Sequence, residues 1–420
     1  MLAGRSTSPA GYPPTRTATR RGRWYVSLVS RIVSVAPVLP ARSYSQGEIT
    51  AALLAMITSD PARQQVMRRI HASSGVQTRS LVMPLERYSS LASFQESNDY
   101  FIAEGTSLAE RALTAALVSA GLEPADVDFL LFTSVTGIAA PSIDAQLVSR
   151  LGLRPDVKRL PSFGLGCVAG AAGIARVNDY LAGHPDEVAV LLSVELCSLT
   201  VQASDDSMAN IVASGLFGDG AAAVVMVGDA RAEKLGLAGP EVVDSRSHIY
   251  PDTADVIGWD IGGTGFRIVL SAGVPEVIER NFAGDARGIL AAHGLGVDDV
   301  GAWAAHPGGP KVLEAFSQAL DLPEGALDAS WRSLANVGNL SSAAVLHVLA
   351  EQLDAHPAGT FGLLFALGPG VTSELVLLRW ADGERRAAPA VAAPGEVTPA
   401  TASTAAAPTA ASPTALGPAA

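Results

Sequence analysis

Cys167-Val168-Ala169-Gly170-Ala171-Ala172-Gly173-Ile174-Ala175 and Asn339-Leu340-Ser341-Ser342-Ala343-Ala344-Val345-Leu346 are the two stretches on which the fold turns. Each opens on a polar residue and runs into small and aliphatic residues. Each begins seventeen residues before a His-Pro pair, His184-Pro185 in one case and His356-Pro357 in the other. Each pair leads into an apolar run, Val188 to Ser193 and Phe361 to Ala366. Upstream, Gly121-Leu122 precedes Asp126-Val127 and the run Phe129 to Thr133. Gly294-Leu295 precedes Asp299-Val300 and the run to Ala305 at the same spacing. Two matched pairs in the same order indicate an internal duplication.

Each copy reads strand, helix, strand, helix, strand. The strands are near-continuous apolar runs, as expected of a sheet covered on both faces. The Ala- and Gly-rich helices after Cys167 and Asn339 suit close packing at the centre of the molecule. The expected fold is therefore α/β, with two duplicated halves over residues 26–228 and 229–382.

Composition sets the outer limits. Of 420 residues, 48% are hydrophobic and 17% charged, which excludes a largely disordered chain. Lys plus Arg is 29 against 41 Asp plus Glu, a net charge of −12. An acidic chain is a poor binder of nucleic acid. No apolar run is long enough to span a bilayer. Cys167 and Cys197 alone exclude a disulfide framework or a Cys-rich metal site, and a reducing cytoplasm is the expected setting. Residues 1–25 are Arg-rich and acid-free, and Arg20-Arg21 precedes an apolar stretch. Arg31 interrupts that stretch, so a disordered extension is expected rather than a targeting signal. Residues 383–420 are mostly Ala, Pro, Thr and Ser and are expected to be a disordered tail.

The polar residues that open the paired helices carry the chemistry. Phe163-Gly164-Leu165-Gly166-Cys167 brings a thiol to a helix N-terminus, where backbone N–H groups would lower its pKa. A buried inert thiol is the bland alternative. Gly164-x-Gly166-x-x-Ala169 also fits a dinucleotide fingerprint, but Pro161 is expected to interrupt the strand that such a fingerprint needs. His306 follows a buried strand in His306-Pro307-Gly308-Gly309-Pro310. His71, His248, His293 and His347 read as structural. Asn339 could simply cap its helix. Taken with the Cys and His at related positions, a Cys–His–Asn site is the better reading, able to activate a thiolate and to face an oxyanion.

These stretches, with Val194-Glu195-Leu196-Cys197-Ser198-Leu199-Thr200 and Leu216-Phe217-Gly218-Asp219-Gly220-Ala221, resemble the thiolase-superfamily condensing enzymes. Within them the chain is similar to type III polyketide synthases of the chalcone synthase family, most of all to actinobacterial and mycobacterial alkylpyrone synthases. The resemblance implies a layered αβαβα thiolase-like fold and a homodimer. It implies that Cys167 is the acyl-carrying nucleophile, that His306 pairs with it, and that His306 and Asn339 hold the malonyl-CoA thioester oxygen. Phe217 and Phe266 match gatekeeping aromatics. Arg69 matches a CoA-phosphate contact, and Lys311, just after the His306 loop in a chain with only three lysines, is a second candidate for that role. Leu367 replaces an aromatic in the loop Ala366-Leu367-Gly368-Pro369-Gly370. Val135 and Cys197 replace cavity threonines, while Thr200 remains.

The expected activity is decarboxylative condensation of a fatty acyl-CoA starter with malonyl-CoA, or methylmalonyl-CoA, to an alkyl α-pyrone. No metal or redox cofactor is expected. Three rivals are an alkylresorcinol synthase, a ketoacyl-ACP synthase III and an inactive thiolase-fold scaffold.

Overall fold

A computed structural model describes residues 29–381. The expected N-terminal extension (1–25) and C-terminal tail (383–420) lie outside the described residues. The strands are β1 (Ser30–Val38), β2 (Arg42–Ser45), β3 (Thr78–Leu81), β4 (Phe129–Thr133), β5 (Lys158–Ser162), β6 (Val188–Leu196), β7 (Asp219–Gly228), β8 (Pro240–Ile249), β9 (Ile257–Gly262), β10 (Gly265–Leu270), β11 (Val300–Ala305), β12 (Phe361–Gly368) and β13 (Thr372–Trp380). The helices are α1 (Gln46–Ile57), α2 (Pro61–Ala72), α3 (Phe94–Ala120), α4 (Ile143–Leu151), α5 (Ala169–Gly183), α6 (Met208–Leu216), α7 (Asp229–Leu235), α8 (Val274–Ala292), α9 (Pro310–Leu320), α10 (Asp328–Val337) and α11 (Ala344–Gln352).

The duplication is visible in the sheet. Its order is β11-β12-β13-β8-β1-β7-β6-β4-β5. In the first half β4 and β6 are parallel, β6 and β7 antiparallel, and β7 and β1 antiparallel. In the second half β11 and β12 are parallel, β12 and β13 antiparallel, and β13 and β8 antiparallel. Within this sheet the halves meet where β1 and β8 pair, at Arg31 opposite Glu241.

The repeated Gly-Leu motif has one structural meaning in both halves. Gly121 (φ 67°) and Gly294 (φ 73°) take the left-handed conformation that stops a helix, a conformation that costs glycine little. Leu122 N–H then returns to Leu117 C=O and Leu295 N–H to Leu290 C=O, each at 3.0 Å. The Asp that follows accepts a backbone N–H, Glu123 to Asp126 at 2.9 Å and Gly296 to Asp299 at 2.7 Å. The next strand starts from that turn.

α5 and α11 form the middle layer. α5 packs on β4, β6 and β7 and also on β8, β12 and β13, while α11 packs on β1 and β7 and on β11 and β12. α3 covers the outer face of the first half, and α8, with α9 against it, covers that of the second. β6 and β7 are buried at every residue. Each fully buried Val or Leu there contributes about 1.5–3 kcal/mol. The two central helices touch because position 170 is glycine: a Cβ there would run into the Ser342 carbonyl oxygen and sit 2.7 Å from Val345 Cγ1.

Two local expectations change. Pro161 does not interrupt its strand. β5 runs through it, with Pro161 opposite Phe132. β5 is the sheet edge, where a missing N–H is tolerated. Among the described residues, the second half has no counterpart of β5. Between β11 and β12 the chain forms α9, α10 and α11.

Candidate active site

Cys167, His306 and Asn339 line one cavity of about 70 Å³, together with Phe217, Leu367 and Pro369. Each polar group arrives from the end of a buried element. Cys167 lies in the short turn Gly166–Val168 between β5 and α5. His306 follows the last residue of β11, where its N–H bonds to Phe365 C=O at 2.9 Å. Asn339 follows α10 and is anchored on both sides of its backbone. Its N–H donates to Leu216 C=O at 2.8 Å, and its C=O accepts from Gly218 N–H at 3.0 Å.

The Asn339 amide is oriented by two contacts. Oδ1 accepts from Ser341 N–H at 2.8 Å, so Nδ2 faces the Gly308 carbonyl at 3.3 Å. Cys167 is half-buried, and its thiol donates to Ser341 Oγ at 3.5 Å. His306 is 3% exposed, and its Nδ1 has no hydrogen-bond partner among the described residues.

Burial decides the resting charges. It pushes the Cys167 thiol up to about 12, although the Ser341 hydrogen bond pulls the other way. This reverses the lowered pKa expected from the helix N-terminus. Loss of water outweighs the few backbone dipoles of one turn. Burial also pulls the His306 imidazole down to about 4. The site therefore holds a neutral thiol and a neutral imidazole, and the imidazole is the base available to the thiol in this cavity.

The other expected residues divide. Phe266 is buried but does not line this cavity. It packs on Phe94, Phe163 and Trp259. Ile268 and Leu270 of the same strand line the cavity instead. Val135, Cys197 and Thr200 are buried outside the lining. Val135 N–H bonds to Glu195, and Thr200 Oγ1 donates to Cys197 C=O at 2.8 Å. Gly368 and Gly370 shape the loop without lining the cavity. Gly368 packs on Leu165 and Val168, and Gly370 N–H bonds to Ile257 C=O at 2.9 Å. Arg69 and Lys311 are exposed, in the last turn of α2 and the first of α9. Gly75, just past α2, packs on Pro310, so the two helix ends meet beside the His306 loop.

Sequence reading missed the hairpin β9–β10. It supplies Ile257, Gly258, Trp259, Ile268 and Leu270 to the wall. Trp259 and Ile268 are cross-strand partners, so both face the same way. Among the described residues, no helix is long and apolar enough to cross a membrane.

The chalcone and stilbene synthase N-terminal domain matches residues 26–230, and the C-terminal domain of the same family matches residues 241–381. A 1,3,6,8-tetrahydroxynaphthalene synthase of Streptomyces peucetius subsp. caesius is 53% identical over 360 residues, covering 84% of this chain and 95% of the relative. An α-pyrone synthesis polyketide synthase-like protein of Mycobacterium tuberculosis is 30% identical, covering 83% of this chain and 91% of its own. The crystal structure of 1,3,6,8-tetrahydroxynaphthalene synthase from Streptomyces coelicolor A3(2), a bacterial type III polyketide synthase, superimposes with a TM-score of 0.79 at 30% identity. The match covers 84% of this chain and 100% of that one.

Proposed function

The chain belongs to the chalcone and stilbene synthase family of type III polyketide synthases, and on that premise we propose that it condenses malonyl-CoA units on Cys167 into a short, tail-free aromatic polyketide. The single observation that carries the choice of substrate is the size of the cavity, about 70 Å³ with Trp259 and Phe217 in its wall. That space suits a small starter and short chain better than a fatty acyl group. The 53% identical relative is named for a naphthalene product. A naphthalene skeleton is assembled wholly from two-carbon units, with no carbon left for an alkyl tail.

The proposed chemistry follows from the three side chains. The Cys167 thiol gives its proton to the free nitrogen of His306, attacks the starter thioester and expels CoA as its thiol. Malonyl-CoA then loses CO₂, and the electron pair of the broken bond passes to the thioester as an enolate. The His306 N–H and the Asn339 amide Nδ2 hold the enolate oxygen. The enolate carbon attacks the acyl group on Cys167 and releases the sulfur. Decarboxylation creates the nucleophile without a strong base, so the proposed route needs no metal or redox cofactor. A dry, preorganised donor set supplies the stabilisation. Arg69 and Lys311 are proposed to meet the CoA phosphates. The proposed working unit is a homodimer in the cytoplasm. In support, the edge strand β5 exposes Leu160, and Phe163 and Leu165 just beyond it are exposed too.

A second reading keeps the mechanism and changes the starter. A fatty acyl-CoA starter, with malonyl-CoA or methylmalonyl-CoA, would give an alkyl α-pyrone, or an alkylresorcinol after one more extension. The apolar wall of Leu216, Ile257, Ile268, Leu270, Val274 and Leu367 favours it, as does the M. tuberculosis relative. Purified protein is incubated with malonyl-CoA alone and with a series of acyl-CoA starters, beside Cys167→Ala, and products are read by mass spectrometry. The small-starter reading expects an aromatic product from malonyl-CoA alone, absent in the variant. Alkyl pyrones from long-chain starters, with nothing from malonyl-CoA alone, would replace it with the second reading.

A further inference from the structure

Glu195 sits on β6, 0% exposed, with no cationic partner among the described residues. A carboxylate so placed is costly unless its oxygens are satisfied. Here both are satisfied, by the two halves of the molecule. Oε2 accepts from Val135 N–H at 3.1 Å, Thr136 Oγ1 at 2.9 Å and Ser134 Oγ at 3.3 Å, all just after β4. Oε1 accepts from Ser342 Oγ in the second half.

That bond fixes a turn. The one hydroxyl proton of Ser342 goes to Glu195, so Ser193 Oγ donates to Ser342 Oγ at 2.7 Å. The preceding residue, Ser341, holds φ at 49°, a left-handed conformation that is unfavourable for a side chain with a Cβ and must be imposed by its surroundings. Ser341 is also where two active-site groups converge. Its N–H holds Asn339 Oδ1, and its Oγ receives the Cys167 thiol.

We propose that Glu195 is a positioning residue of the condensation site: its carboxylate ties residues 134–136 of one half to Ser342 of the other, and so holds the Ser341 turn that aims the Asn339 amide and receives Cys167. The inference rests on the roles proposed above for Cys167 and Asn339. The tie carries charge as well as shape. After burial, the charge of Glu195 opposes ionisation of the Cys167 thiol, and it opposes that of Cys197 too. His306 is the other titratable group at this cavity.

The test compares Glu195→Gln with Ser342→Ala in the full chain. Glu195→Gln keeps the size, removes the charge and leaves donors without acceptors. Malonyl-CoA decarboxylation is expected to fall about a hundredfold, the cost of a misplaced group. The pH midpoint for alkylation of Cys167 by iodoacetamide is expected to move to lower pH. Ser342→Ala breaks the tie and keeps the charge, so decarboxylation falls while the midpoint stays. A residue that only stabilised the fold would lower the melting temperature and leave the Glu195→Gln midpoint in place. That result, or wild-type decarboxylation in Ser342→Ala, overturns the proposal, and Ser342→Ala decides alone if Glu195→Gln does not fold. Cys167→Ala is run beside them. Product from that variant would remove the underlying reading, whereas an inactive Cys167→Ala with unaffected Glu195→Gln and Ser342→Ala removes only this inference.

Discussion

Phe217 and Asn339, from opposite halves of the duplication, are joined by an isolated parallel β-bridge at the cavity wall. The bridge is made by main chain, so it survives loss of either side chain. The Asn339 amide can therefore be removed without moving the backbone that carries it. Asn339→Ala is expected to lower malonyl-CoA decarboxylation about 100- to 1000-fold, the usual cost of one donor to a developing oxyanion. Acylation of Cys167 by a starter thioester should stay within a few-fold. CO₂ release and the mass of acyl-Cys167 measure the two steps separately. Equal losses in both would assign Asn339 to the architecture of the site and remove it from the enolate step.

Acid stability follows from buried imidazoles. Burial pulls His71, His306 and His347 down to about 4, whereas an unfolded chain titrates them near 6.5. A lowered folded pKa means that their contribution is complete above 6.5 and is lost as pH falls toward 4. Each costs about 1.4 kcal/mol per pH unit across that window. Asp219 opposes them. Burial raises it from 3.8 to about 6, so its folded form gains a proton, and stability, as pH falls through 6. Burial lowers His356 as well, and it raises Glu195 and Glu374 alongside Asp219, so four imidazoles stand against three carboxyls. The large shifts of His71, His306 and His347 leave a net loss. The melting temperature should fall steadily from pH 7 to pH 4.5, and a flat or rising profile would contradict these burials.

The duplication was legible in sequence because it is local: a left-handed glycine, an Asp cap and an apolar run recur at fixed spacing. Cys167, His306 and Asn339 were legible for a related reason, since each sits where an element ends. The wall was not. Phe266 and Ile268 are two residues apart on one face of β10, and which of them reaches the cavity depends on how the hairpin is laid across α6 and the residues after β6. No periodicity encodes that. Trp259 carries no local signal, because its meaning comes from its cross-strand partner Ile268 and from the cavity, neither of which adjoins it in sequence. Glu195 lies within the stretch Val194 to Thr200, but its role depends on Ser342, in the other half of the duplication.

Gly170→Ala tests the central layer. On an exposed helix the change would stabilise by up to about 1 kcal/mol. Here the new methyl meets the Ser342 carbonyl oxygen and Val345 Cγ1. A backbone oxygen cannot rotate aside, so overpacking of about 1–3 kcal/mol outweighs the propensity gain. Urea unfolding should show net destabilisation. Because Ser342 must move, decarboxylation should fall even at temperatures where the variant is fully folded. An unchanged rate in a destabilised variant would show that the α5–α11 contact and the site are independent.

Trp259→Gly bears most directly on what the cavity accepts. Trp259 is half-buried in the cavity wall opposite Ile268, so its removal costs less stability than truncation of a core aromatic and opens space where the starter would lie. On the small-starter reading, the wild type refuses long-chain acyl-CoA because that space is filled. The variant should then accept long-chain starters and release alkylated products, while product from malonyl-CoA alone declines because a short chain is no longer confined. Competition between malonyl-CoA alone and a long-chain acyl-CoA, followed by mass spectrometry, reads both changes in one reaction. If the wild type already uses the long starter as well as the variant does, Trp259 is not the limit, the cavity opens by another route, and the alkyl α-pyrone reading takes precedence.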